Sequence, residues 1–114
     1  FVLIAKPLLI SNMSGGYFNY ENYKIDEVAD KVERLLYASS NGFFDEEDQY
    51  SSWEKKLIAD APKEVKSSFK DAVICLKKAS VYAHRIDWLL SGDDGELSFL
   101  RRLKEDLDKI DGQD

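Results

Sequence analysis

Between Pro62 and Ser91 the apolar positions Val65, Phe69, Ala72, Leu76, Ala79, Ala83, Ile86 and Leu90 alternate steps of four and three without a break. That is the heptad seam of a helix. Pro62 suits the first helical turn, where its missing N–H has no partner to lose, with Asp60 or Ala61 preceding the helix. Gly92 stands where a left-handed C-terminal cap wants glycine. From Ala72 onward a second apolar line, Ile74, Val81 and Trp88, runs along roughly the opposite face, and Val73, Cys75, Tyr82 and Leu89 fill the flanks. The polar positions are Asp71, Lys77, Lys78, His84 and Arg85, with Ser80 and Asp87 beside them. A helix apolar over most of its circumference is expected to be buried from several sides. The pattern therefore predicts a central rod, and the alanines at 72, 79 and 83 would let neighbouring backbones come close.

Three further helices are predicted around it. Ile25, Val28, Ala29, Val32, Leu35 and Leu36 share one face of a helix over about 22–38. Its charged residues lie mostly opposite, Asn19 or Asn22 is placed to cap its start, and Ser39–Gly42 ends it. Trp53, Leu57 and Ile58 predict a short helix over about 52–59. Leu97, Leu100, Leu103, Leu107 and Ile110, with Phe99 alongside, predict a final helix. Asp93-Asp94-Gly95-Glu96 before it has the form of a capping box, with Asp93 accepting from the third helical N–H and Glu96 reaching back. The short 91–94 link makes the last two helices antiparallel. The expected fold class is all-α: a small helical bundle around one long central helix (about 62–91), an antiparallel C-terminal helix and an N-terminal extended arm.

Phe1–Ile10 is nearly all apolar apart from Lys6 and Pro7, too short to span a bilayer, and Pro7 would break a helix there. Three readings stand for residues 1–12, a remnant of a trimmed secretory signal being the third beside the two that follow. Either Met13 is the natural start and they are a non-native extension, or they are an apolar arm docked on the core. Residues 13–114 read as a single helical domain.

Composition changes this picture little, whereas charge changes it more. The chain has 114 residues and a formal net charge of −6, which disfavours direct nucleic-acid or anionic-membrane binding. Residues 62–91 carry 6 basic and 3 acidic side chains, against 6 and 11 in 1–61 and 4 and 8 in 92–114. A basic central helix between acidic flanks predicts charge pairing inside the molecule. Cys75 is the sole cysteine, so no intrachain disulfide forms. It fits a reducing, cytoplasmic setting and reads as a small buried apolar residue.

The candidate chemistry is sparse. His84 lies beside Arg85 on the polar stripe, with Cys75 on another face and Ser80 one turn earlier, lacking an activating partner in the pattern. It reads as a solvated histidine. Asp45–Asp48 and Asp93, Asp94 and Glu96 lack the alternating ligand spacing of a calcium loop, there is no His/Cys cluster for zinc, and Gly15-Gly16 lacks the lysine and spacing of a phosphate loop. No catalytic, cofactor-binding or metal residues are assigned, and no cofactor is expected. The Phe43–Ser52 stretch reads as a loop.

The corner formed by Arg85, Asp87 and Trp88 with Asp93, Asp94 and Glu96 combines charges, an aromatic side chain and a tight turn. It is the candidate partner-binding site, with Trp88 as anchor. The plainer reading of the same residues is intrahelical pairing, a core tryptophan and a capped turn. Acidic flanks at 26–33, 45–48 and 93–114 could instead imitate nucleic-acid phosphates, although an ordinary acidic soluble surface is the better account of them.

The run from Tyr82 to Glu96, Tyr82-Ala83-His84-Arg85-Ile86-Asp87-Trp88-Leu89-Leu90-Ser91-Gly92-Asp93-Asp94-Gly95-Glu96, continues with Ser98-Phe99-Leu100 and Arg102-Leu103. Together with Phe18-Asn19-Tyr20, Tyr23-Lys24-Ile25 and Ala29-Asp30, it resembles small accessory proteins encoded by bacteriophages and prophages. The resemblance covers most of 17–107 and carries no catalytic motif. It implies a bacterial host cytoplasm and modulation of a host or defence protein. The functional expectation is a non-enzymatic acidic helical protein that binds a protein partner, a homo-oligomer being one way to hide surplus apolar surface. The alternatives are an acidic nucleic-acid mimic and a small metal-dependent enzyme or nuclease.

Overall fold

A computed structural model describes residues 16–40 and 50–112. The proposed arm at 1–12 and the acidic cluster Asp45–Asp48 lie outside the described residues. Four helices follow in order: α1 (Tyr23–Ser40), α2 (Ser52–Asp60), α3 (Lys63–Leu90) and α4 (Glu96–Asp111). The bundle is all-α around a long central helix, and 28 residues of α3 extend for about 42 Å at 1.5 Å per residue. Inter-helix bonds pair rising numbers in α1 and α4 with falling numbers in α3, so both helices run antiparallel to it.

Local chemistry accounts for most boundaries. Ser51 accepts from the Glu54 N–H, and the Glu54 carboxylate accepts from the Ser51 N–H, a complete capping box that starts α2. Pro62 is the N-cap of α3, with φ −59° and ψ 157°, one position before the first turn in which the sequence places it. Gly92 takes φ +82°. The Asp93 N–H reaches the Trp88 carbonyl (2.9 Å) and the Gly92 N–H reaches that of Leu89 (3.2 Å). This pair of bonds is a Schellman ending and needs a residue without a Cβ at the left-handed position.

The start of α4 is shifted from its expected register. The helix begins at Glu96 with Gly95 as N-cap. The Ser98 hydroxyl accepts from the Gly95 N–H (3.1 Å) and donates to the Asp94 carboxylate. Asp94 and Ser98 thus carry the cap that the sequence assigns to Asp93 and Glu96, because the Schellman turn uses Asp93 before a helix can start.

The larger correction concerns how α3 is buried. Its fully buried residues are Val73, Ser80 and Asp87, a line spaced by seven that lies outside the heptad seam. Val65, Cys75, Ala79, Tyr82 and Leu90 are exposed, so Cys75 is not the buried residue its composition suggests. Asn22, just before α1, and Asp26 and Glu33 of α1 meet His84, Ser80 and Lys77 of α3, with Ala29 and Val73 buried beside them. Polar side chains bind each other across this contact, while Phe69, Ala72, Leu76, Ala83 and Ile86 of the seam are half-buried. Val28 remains exposed.

Candidate functional site

The C-terminal end of α3 is assembled from both directions along the chain. Asp87, 1% exposed, accepts the Gly16 N–H on Oδ2 and the Phe18 N–H on Oδ1, each at 3.0 Å. The Tyr17 N–H donates to the Ser91 hydroxyl at 3.1 Å. A carboxylate with no water around it is stable here because both oxygens receive charge-assisted hydrogen bonds. Gly16 can approach because it adopts φ +93°, and the turn over 17–22 then leads into α1. Asp87 is therefore a tether for the N-terminal turn, and its carboxylate is not presented to a partner.

Beside it, Asp26 binds two residues of α3. Its Oδ1 accepts from the Ser80 hydroxyl, and its Oδ2 lies 2.7 Å from His84 Nε2. With the Nε2–H directed at the carboxylate, His84 Nδ1 accepts from Asn22 Nδ2 at 2.6 Å. The Tyr23 ring packs 4.7 Å from the imidazole. Asn22 faces inward instead of capping α1, and His84 is half-buried instead of solvated. Serine, histidine and aspartate are all present, but the carboxylate sits between the other two. A hydrolytic triad needs the imidazole between nucleophile and carboxylate so that it can take the hydroxyl proton. Here Asp26 holds the serine and orients the ring, an arrangement that secures helix packing.

On the α4 side, Arg85 reaches Asp106 through Nε (2.8 Å) and a terminal nitrogen (2.8 Å). Its guanidinium lies 5.0 Å from the centre of the Trp88 ring, and Trp88 is half-buried. Arg85 and Trp88 line a cleft of about 300 Å³ together with Tyr23, Val81, His84 and Asp106. Asp94 takes Arg102 at 3.4 Å. The Ser98 hydroxyl is the largest influence holding its carboxyl below the usual value; partial burial opposes this, and Arg102, the Gly95 N–H and Arg85 reinforce it. Asp93 and Glu96 are exposed.

Arg85, Asp87, Trp88, Asp94, Asp93 and Glu96 thus do share one end of the molecule, but four of the six are occupied in building it. What that end presents is apolar. Leu97 is 84% exposed, Leu100 60% and Leu90 41%. Tyr17 and Phe18, in edge-to-face contact, are exposed at the same end of α3. The sequence places Leu97 and Leu100 on the buried face of α4, a face that Phe99, Leu103, Leu107 and Ile110 occupy instead. A signal was present. Phe99, Leu103, Asp106 and Ile110 form a better continuous stripe than one that includes Leu97.

Among the described residues, four acidic side chains of the flanks pair with the central helix: Asp26 with His84, Glu33 with Lys77, Asp106 with Arg85 and Asp111 with Lys78. The internal charge pairing read from the sequence is present. Among the described residues no group of three or more His, Cys, Asp or Glu gathers as a metal site, and no helix is long and apolar enough to cross a membrane. Compared with protein-family models, curated proteins and solved structures, the chain matches none.

Proposed function

We propose that the chain is a non-enzymatic binding protein that engages a protein partner through the corner between α3 and α4. The observation that carries this reading is the exposure of Leu90, Leu97 and Leu100 around a turn fixed by the Gly92 ending and the Asp94–Ser98 cap. Large apolar side chains on a rigid corner bind well, because little conformational entropy is lost when they are covered. The charged residues of the corner act as scaffold, and Asp93 and Glu96 form a polar rim. The resemblance to phage accessory proteins makes the partner a host or defence protein of a bacterial cytoplasm, whose activity the chain modulates. A second copy of the chain is the other candidate for the same surface.

The test compares tagged wild-type protein with a Leu97→Asp/Leu100→Asp variant in capture from bacterial lysate, alongside light scattering of each purified protein. The expected result is one stoichiometric partner retained by the wild type and lost by the variant. Equal capture by both, or no partner and no self-association, overturns the reading. Because both leucines are exposed, circular dichroism is expected to show an unchanged helical fold.

A further inference from the structure

At the opposite end of α3 the molecule holds a groove that is cationic, although the chain as a whole is acidic. It encloses about 600 Å³. One wall is the last turn of α1, with Leu36, Tyr37, Ser39 and Ser40; the other is the first half of α3, with Lys63, Lys66, Ser67 and Lys70. Val73, Ile74 and Ile110 are at the inner end, where Lys77 and Glu33 pair at 2.7 Å. Lys63, Lys66, Lys70 and Lys77 fall within one face of α3 by their spacing. The first three make no ion pair among the described residues. Val73 and Ile110 are buried and Leu36 and Ile74 half-buried, so the floor is apolar and the rim is basic.

The groove is the continuation of the track that α4 occupies. α4 runs back along α3 until Asp111 pairs with Lys78, and Ile110 closes both the end of the α4 contact and the end of the groove. Over the covered part, α4 shows what this surface accepts. Phe99, Leu103, Leu107 and Ile110 turn inward while Asp106 and Asp111 pair with Arg85 and Lys78. Beyond Asp111 the same pattern of apolar positions flanked by cations continues on α3 as Ile74, Lys70, Ser67, Lys66 and Lys63, with nothing of α4 left to meet it.

We propose that this groove is a docking site for an acidic amphipathic helical segment of a protein partner, seated end to end with α4. Its apolar face would lie on Leu36, Val73, Ile74 and Ile110, and its carboxylates would pair with Lys63, Lys66 and Lys70, the helix-in-groove mode of recognition. Charge complementarity selects this occupant. Lys63, Lys66 and Lys70 are strung over two turns of helix, about 10 Å, so they match a row of carboxylates one helical turn apart better than one phosphate. The apolar floor has no use for a sugar–phosphate backbone, and the walls make the site concave where a membrane surface would need it flat. The site is separate from the α3–α4 corner and does not depend on what the corner binds.

The probe is a random library of 16-residue displayed peptides selected on the full-length protein, followed by fluorescence anisotropy of a selected peptide. The expected winners carry Asp or Glu together with Leu, Ile or Phe at helical spacing. Their binding should weaken at least tenfold in Lys66→Glu/Lys70→Glu, less in Lys66→Ala/Lys70→Ala, and several-fold between low and physiological salt. The Leu97→Asp/Leu100→Asp variant should bind them unchanged, which separates failure at this groove from failure at the corner. Absence of enriched peptides, enrichment without acidic residues, binding indifferent to charge reversal, or equally tight binding of an oligothymidylate each overturns the proposal. Among the described residues neither lysine makes an ion pair, so circular dichroism of the variants should match the wild type.

Discussion

The two helices that flank α3 are held by different physics. α1 docks through side-chain hydrogen bonds: Asn22 and Asp26 to His84, Asp26 to Ser80, Glu33 to Lys77, with Asp87 tying down the turn before it. α4 docks through an apolar stripe closed by two ion pairs, and a short capped turn holds it near α3 whatever the packing. A polar interface contributes little net stability per bond but costs much when one partner is removed. An apolar interface tethered by a tight turn degrades more gradually. The contrast teaches that α1 is the specifically registered helix and α4 the entropically secured one.

The sharpest way to break the comparison is Asp87→Ala. It leaves the Gly16 and Phe18 N–H groups buried without an acceptor, and the expected loss is about 3 kcal/mol of unfolding free energy, read by urea denaturation. Hydrogen exchange should show faster opening in 16–40 with α4 protection nearly kept. Equal loosening of α1 and α4 would remove the distinction. Arg85→Ala should cost less, about 2 kcal/mol, because it removes a partly shielded ion pair and the contact over Trp88 and strands Asp106 at a site water can reach. Here the faster exchange should appear in α4.

The smallest effect concerns acid. The carboxyl of Asp94 is held below its ordinary value of 3.8, first by the Ser98 hydroxyl. A carboxylate with a lowered folded value stabilises the fold above the unfolded value and loses that contribution as pH falls through the folded one. Asp94→Asn should therefore be less stable than wild type near neutrality, and the difference should shrink as pH drops below 3.8. A difference that stays constant well below 3.8 would mean that Asp94 acts through shape alone.

Much of the architecture was legible because it is set locally. The Gly92 ending and the 3.6-residue periodicity are satisfied within a turn or two of chain, and the approximate helix positions follow from them; the Ser51–Glu54 box and the Asp94–Ser98 cap are equally local but were not read from the pattern. Legibility failed where two faces of one helix were nearly equal in apolar content. On α3 the apolar circumference predicted burial from several sides, with Ser80 and Asp87 grouped with the polar positions, yet Val73, Ser80 and Asp87 are what is fully buried. On α4 the leucine count drew Leu97 and Leu100 inward. The charges, turn and tryptophan that the sequence groups at 85–96 do share one end of the molecule, but Arg85, Asp87, Trp88 and Asp94 are engaged in building it, and the large side chains exposed there are Leu90, Leu97 and Leu100.

By itself, then, the sequence determined the four described helices in order, their approximate extents, the antiparallel return of α4 and the pairing of some acidic flank residues with a basic centre. Only the tertiary structure decided which way each helix turns. That choice depends on partners far away along the chain: the Gly16 N–H for Asp87, 71 residues distant, and Asp26 for Ser80 and His84, 54 and 58 residues distant. A buried polar group is stable only where such a partner meets it. Periodicity records how apolar a face is, but it holds no record of the hydrogen bonds that make a polar face the better one to bury.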